Sequence, residues 1–333
     1  MTIELHNNVY CEGEGLPVVL VHGFPVDHRM WDECAEALEA AAVEHGMKRF
    51  PIWGPDMPGA GEGPIPSDET SGGKDTDGAF PNGLDRMADA YVDLLHAAGY
   101  DKAIWVGLSM GGYLILDIQR LHPEAVAALA LCDTKAAADS EKMRAKRIAI
   151  AEECESTGTH EPVMGFAAAT PEDSTIKQSD AYREQFTTWI NEQPAEGIAW
   201  RERMAAGRPD LNDVLPAITA PVAVICGDKD PSSPPSVMTP IADAMTGTSA
   251  DMTVVFDCGH FSAYEHPQAV ADALLALVRT PASVMPMSLV YMRIYLLGLV
   301  FTFTYNMLSA VFRALGDSKM PLAFLVVASV VNI

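Results

Sequence analysis

The sequence predicts an α/β protein: a mostly parallel sheet flanked by helices on both faces, with a helical lid and a hydrophobic helical C-terminal tail. Three observations predict it. Short apolar runs alternate with helical patterns up to about Arg279, as parallel strands joined by helical crossovers do. Ser109 lies between a strand-like and a helix-like run, with Gly107 two before it and Gly111 two after. That is the strand–turn–helix of a nucleophile elbow. Aspartates and a histidine follow later strands, where open parallel sheets hold their ligands.

The elements follow in order. Leu16 to Val21 reads as a strand, Trp31 to Ala42 as a helix, and Phe50 to Trp53 as a short strand ending at Gly54-Pro55-Asp56. Residues 62 to 84 are rich in Gly, Pro, Ser and Asp and read as a solvated loop. Met87 to Ala98 reads as a helix, Ala103 to Val106 as a buried strand, and Tyr113 to His122 as the helix after the elbow. Val126 to Cys132, Val222 to Cys226 and Met252 to Phe256 are further strands, and Gln268 to Val278 a closing helix. Asp139 to Leu211 is helical in pattern without a convincing strand. An insertion of that kind sits over strand ends as a lid, its aromatics packing together or lining a pocket. The division is therefore 1–138 core, 139–211 lid, 212–279 core and 280–333 tail.

The tail differs in kind. Ile294 to Phe312 is nineteen residues without a charge, about 28 Å as a helix against a ~30 Å hydrocarbon core. Met320 to Ile333 is apolar but only fourteen residues long, short of a span. The basic loop between them, Arg313 to Lys319, would face the cytoplasm. Membrane contact is expected only through residues 294–333.

The chain has 333 residues, 49% of them hydrophobic, enough for one large domain with a sizeable core. Its net charge is −23, and a surface so acidic repels phosphate backbones, which excludes nucleic acid as a partner. Six cysteines lie scattered without a C-x-x-C pair, which suits inert core thiols in a reducing compartment. With no basic or apolar N-terminal segment, the expected location is cytoplasmic.

The chemistry follows from what a serine needs. Its hydroxyl is a poor nucleophile until a base takes the proton, and a histidine base needs a carboxylate to orient it. Gly227-Asp228-Lys229-Asp230 follows one strand and Asp257-Cys258-Gly259-His260 the next. His260 is the candidate base. Asp230 is preferred to Asp228 as acid, because the later residue of a Gly-x-x-Asp turn points toward the neighbouring loop. Asp133 is the alternative. The oxyanion needs two backbone donors: Met110, after the nucleophile, and Phe24, in the loop His22-Gly23-Phe24-Pro25. His22 reads as a loop stabiliser. No metal cluster, phosphate loop or dinucleotide motif is present, so no cofactor is expected.

Together these motifs, with Asp56-Met57-Pro58-Gly59-Ala60-Gly61, resemble the α/β-hydrolase superfamily over residues 10 to 279, in its branch of small esterases, lactonases and carbon–carbon bond hydrolases. The resemblance implies the α/β-hydrolase fold and a small ester, lactone or thioester as substrate. Pro58 stands where the family frequently has arginine. Ser109 in place of aspartate argues against haloalkane dehalogenases. The tail, from Tyr291 through Arg313-Ala314-Leu315-Gly316-Asp317 to Ile333, resembles a piece of a multidrug and toxic-compound extrusion (MATE) transporter, lacking most of the helices of a translocation path. The competing expectations are a membrane-associated transport-related protein, a binding module without turnover, and an acyltransferase or carbon–carbon hydrolase using the same three residues.

Overall fold

The computed structural model describes residues 2–279; the expected span at Ile294 to Phe312 and the rest of the tail lie outside them. Among the described residues, strands β1 (His6–Cys11), β2 (Val18–Val21), β3 (Ile52–Asp56), β4 (Ala103–Leu108), β5 (Val126–Cys132), β6 (Val222–Gly227) and β7 (Ala250–Val255) form one sheet. Its order is β1-β3-β2-β4-β5-β6-β7. All neighbours are parallel except β1, which runs antiparallel to β3 at the edge. Every residue of β2, β3, β4 and β6 is buried. That is why these strands read as unbroken apolar runs rather than alternating ones.

The helices are α1 (Asp32–Glu44), α2 (Gly83–Ala97), α3 (Met110–Leu121), α4 (Glu141–Thr157), α5 (Asp180–Glu192), α6 (Ala195–Gly207), α7 (Pro235–Ala244), α8 (Ser262–Glu265) and α9 (Pro267–Arg279). They flank the sheet, α1 packing on α9 and α2 on α3. Helices α4, α5 and α6 form an all-helical insertion between β5 and β6. Its caps are local: the Ser140 and Ser179 side chains accept from the backbone N–H of Met143 and Tyr182, and Gly158 ends α4 with φ 70°, a conformation glycine adopts without cost. No described helix is long and apolar enough to cross a membrane.

Four elements differ from the sequence expectation. β1 carries no apolar alternation, because an edge strand of mixed exposure needs none. α7 contains Pro240 in its interior, which argues locally against a helix, whereas Pro235 sits at its first position, where proline is tolerated. α3 starts at Met110 rather than Tyr113, since Gly111 and Gly112 act as helix residues pressed against the Val21 carbonyl and the Thr134 side chain, not as a turn. The loop at 62–84 is not solvated throughout. Ser71, Ala79 and Phe80 are buried, Trp200 Nε1 donates to Ser71 Oγ at 2.8 Å, and Phe80 N–H donates to the Arg203 carbonyl at 3.0 Å. A few buried anchors tie this polar stretch to α6, and its composition hides them.

The start of α6 touches the turn after β3. A Cβ on Gly197 would overlap the carbonyl of Gly59, so two backbones meet where only glycine fits. Gly197→Ala should therefore cost about 1–3 kcal/mol, read as a lower urea midpoint. Gly165→Ala, in open space, should stay within about 0.5 kcal/mol.

Candidate active site

β4 ends on Leu108 and α3 begins on Met110, leaving Ser109 alone in the turn with φ 55° and ψ −109°. A non-glycine residue there costs of order 1–3 kcal/mol and persists only where its surroundings fix it. They do: Ser109 N–H donates to the Cys132 carbonyl at 2.9 Å, and Thr134 Oγ1 donates to the Ser109 carbonyl at 2.6 Å. The glycines make the turn possible. A Cβ on Gly107 would overlap the Gly111 backbone, and one on Gly111 the Val21 carbonyl.

Three loops deliver the other groups. His260, after β7, places Nε2 2.8 Å from Ser109 Oγ and Nδ1 2.9 Å from Asp230 Oδ2. Asp230, after β6, also accepts from Ser232 N–H at 2.7 Å and Ser233 Oγ at 2.6 Å. Burial would raise its pKa, but the His260 charge and these hydrogen bonds hold it below the ordinary carboxylate range. Burial would lower that of His260, and the charge and hydrogen bond of Asp230 raise it instead. The structure thus brings Ser109, His260 and Asp230 together. Asp228 faces away and accepts from Cys258 N–H at 3.1 Å. Asp133, fully buried with φ 45°, accepts from Gly227 N–H at 2.9 Å and Ser262 N–H at 3.3 Å. It braces the loops that carry Asp230 and His260, and burial with the nearby Asp230 charge raises its pKa.

The two backbone N–H groups expected as oxyanion donors, those of Phe24 and Met110, stand where β2 meets α3. Gly111 abuts the Val21 and His22 carbonyls, and Gly23 abuts Leu108, so the His22–Phe24 loop lies against the elbow. Among the described residues, the N–H groups of Phe24 and Met110 have no protein acceptor. His22 is wholly buried. Its Nδ1 donates to the Gly23 carbonyl at 2.9 Å, and its Nε2 accepts from Met57 N–H at 2.9 Å, which assigns the Nδ1–H tautomer. The Gly23 carbonyl belongs to the peptide whose N–H is that of Phe24, so this bond polarises the donor.

Several supporting residues escaped the sequence reading. Glu265 accepts from Gly259 N–H at 2.7 Å and Phe261 N–H at 3.3 Å, bracketing His260; its place six residues after Gly259 was the available signal. Phe166 of the insertion is half-buried and meets Phe24 and Phe261 edge-on, with centroids 5.8 and 6.3 Å apart. Tyr182, Phe186 and Trp189 of the insertion pack together, Phe186 also meeting Phe261 with centroids 4.7 Å apart, and Trp200 packs on Phe80. All six cysteines are free and buried, and burial raises the Cys258 thiol. Asp27, His28 and Asp56 have ligand atoms within 4.8 Å of one another. They are bonded already: Asp27 takes Arg29 and Gln193, and Asp56 takes His28.

A mostly parallel sheet in this order, with a strained serine after β4 and an aspartate and histidine after β6 and β7, is the architecture of an α/β hydrolase. The family model described as the alpha/beta hydrolase family matches residues 18–273. The chain belongs to that family and is an enzyme of the α/β-hydrolase class. A thermophilic esterase from Thermogutta terrifontis is 31% identical, with a TM-score of 0.70 over 84% of this chain and 94% of that one. Lipase LipV of Mycobacterium tuberculosis is 24% identical over 290 residues, 84% of this chain and 98% of that protein. The enol-lactonase from Burkholderia xenovorans LB400 shares the fold, with a TM-score of 0.67, 22% identity, and 84% and 97% of the two chains covered. A second model, MatE, matches residues 269–333. There the chain is 46% identical over 63 residues to YpnP of Bacillus subtilis, named a probable multidrug resistance protein. That match spans 19% of this chain and 14% of that protein.

Burial lowers the pKa of His22 from 6.5 to about 4, opposed by Asp56 and assisted by the Arg201 charge. Between those values the unfolded chain binds the proton and the folded one does not, so stability is lost as pH falls. A gap of this size is worth on the order of 3 kcal/mol. Urea midpoints should fall steeply between pH 6.5 and 4, and His22→Gln should flatten that dependence.

Proposed function

We propose that the protein is a serine hydrolase acting on a carboxylic ester, lactone or thioester of modest size through an acyl-enzyme. The observation that carries this reading is the hydrogen-bonded line from Ser109 Oγ through His260 to Asp230, at 2.8 and 2.9 Å. Ser109 attacks the carbonyl carbon as its proton passes to His260 Nε2. Asp230 holds Nδ1–H and stabilises the imidazolium. The tetrahedral oxyanion takes the Phe24 and Met110 N–H groups. Collapse expels the alcohol or thiol, which takes the proton from His260. Water then attacks the acyl-enzyme, its proton going to His260, and the acid leaves as Ser109 is restored.

Residues 139–211 act as a lid in this reading, with Phe166 roofing the ground between Phe24 and Phe261. Apolar ring edges beside the nucleophile suit an uncharged acyl group, and the acidic surface disfavours anionic substrates. The similarity to an esterase, a lipase and a lactonase supports ester chemistry over the carbon–carbon hydrolase, acyltransferase and binding-module readings. The transport reading rests on a match to 14% of its relative and is not favoured.

Ser109→Ala should keep the fold and lower kcat by on the order of 10⁴–10⁶, measured on p-nitrophenyl esters of increasing chain length and a lactone panel. A fluorophosphonate probe should mark Ser109; a variant keeping a tenth of the activity would end the proposal. The pH dependence of kcat/KM should show an acid limb above the ordinary histidine value, since His260 must be neutral to accept the proton and Asp230 raises its pKa. Asp230→Asn should move that limb to lower pH and cost about 10⁴ in kcat.

A further inference from the structure

Arg201, on α6 of the helical insertion, is fully buried. A buried cation is costly unless it is paired, yet no carboxylate touches this one. Its donors go to neutral oxygens. Nη1 donates to the Val26 carbonyl at 2.9 Å and the Pro25 carbonyl at 3.3 Å. Nη2 donates to the Gly59 carbonyl at 3.3 Å and Gln193 Oε1 at 3.4 Å. Nε donates to the Gly197 carbonyl at 3.2 Å. The guanidinium carbon lies 5.4 Å from the centre of the Phe24 ring. Burial lowers the pKa to about 10, against the pull of Asp27 and Asp56, so the group stays charged at neutral pH.

The protein therefore maintains an expensive charge at one place: the backbone just after Phe24. We propose that Arg201 is a positioning residue of the oxyanion site, clamping the Pro25 and Val26 carbonyls so that the Phe24 N–H stays aimed at the developing oxyanion. The proposal rests on the serine-hydrolase reading, and within it gives the insertion a part in the chemistry as well as in covering the site. Two neighbours support the clamp. Gln193 donates to Asp27 Oδ2 at 2.7 Å and accepts from Gly61 N–H at 3.1 Å, tying α5 to the same two core loops. The close approach of Gly197 to Gly59 seats the first turn of α6 on the β3 turn. The β3 turn supplies no cation of its own, and α6 brings one to the Gly59 carbonyl. From there the charge also disfavours protonation of His22, which must keep its Nε2 lone pair free to accept from Met57 N–H.

The test compares Arg201→Lys and Arg201→Met with the unaltered full-length protein on its best p-nitrophenyl ester, with Ser109→Ala alongside. The expected result for Arg201→Met is a kcat lower by about 10–100-fold, short of the ~10²–10³ lost when an oxyanion donor is removed outright. KM should stay within about threefold. Affinity for a trifluoromethyl ketone, which forms an oxyanion on the serine, should fall by the same factor as kcat, because only the oxyanion-bearing state uses the Phe24 N–H. Arg201→Lys, keeping the charge but not the fork, should lie between Met and the unaltered protein, and it carries the test if the Met variant does not fold. Variants with an unchanged circular dichroism spectrum and kcat within twofold overturn the proposal. So does a rise in KM with kcat and ketone affinity held, which assigns Arg201 to substrate contact or to the fold alone. An active Ser109→Ala removes the serine reading and this proposal together; an inactive one beside unaffected Arg201 variants removes this proposal only.

Discussion

The site depends on one backbone constraint, the turn that holds Ser109 at φ 55° between β4 and α3. The conformation is unfavourable for an L-residue and would relax in an isolated peptide. Here the neighbours leave it no alternative. The serine N–H continues the ladder to β5, Thr134 fixes the serine carbonyl, and the glycines at 107 and 111 let strand and helix pass closer than a methyl group would permit. The helix N-terminus that results leaves the Met110 N–H beside the hydroxyl without a protein acceptor. One strained residue thus places a hydroxyl and an unpaired backbone N–H side by side.

Around that point the sheet supplies rigidity and the loops supply chemistry. The end of β3 and the loops after β2, β5, β6 and β7 each contribute a bonded group: Asp56, His22, Asp133, Asp230 and His260. Hydrogen bonds across the loops keep them in register. Asp133 joins the β6 loop to the start of α8, Glu265 fixes the loop around His260, and His22 links the β2 and β3 loops. Each of these five side chains finds a partner on a neighbouring loop, which makes burying them tolerable.

Charge is distributed with the same economy. The chain is strongly acidic overall, yet the cation nearest the Phe24 loop is a buried arginine surrounded by carbonyls. The Asp230 charge favours protonated His260, and the Arg201 charge disfavours protonated His22. Two histidines in one site are thereby driven in opposite directions. His260 becomes the more basic ring, and His22 stays neutral in a fixed tautomer.

Much of this was legible in the residues alone. Unbroken apolar runs mark strands that must be buried on both faces, so the parallel sheet followed from composition. The glycine spacing around Ser109 marks the elbow because no other residue fits there. The strand-end loops of an open parallel sheet hold its ligands, so the order of Ser109, Asp230 and His260 pointed to one site. Local pattern could not supply meetings across long separations. Ser109 and His260 are 151 residues apart, and the choice of Asp230 over Asp228 and Asp133 is decided by which carboxylate reaches the ring. The same holds for the 62–84 loop, whose polar sequence conceals its docking on α6, and for α7, whose interior Pro240 disguises a helix. Arg201 is the clearest case. In the sequence it is an ordinary helical arginine, and only its burial under the carbonyls of a loop 175 residues earlier gives it a task. Secondary structure and the strained turn are determined by short-range sterics and hydrophobic periodicity, which the sequence carries directly. The convergence of distant side chains is decided by packing, which exists only once the chain has folded.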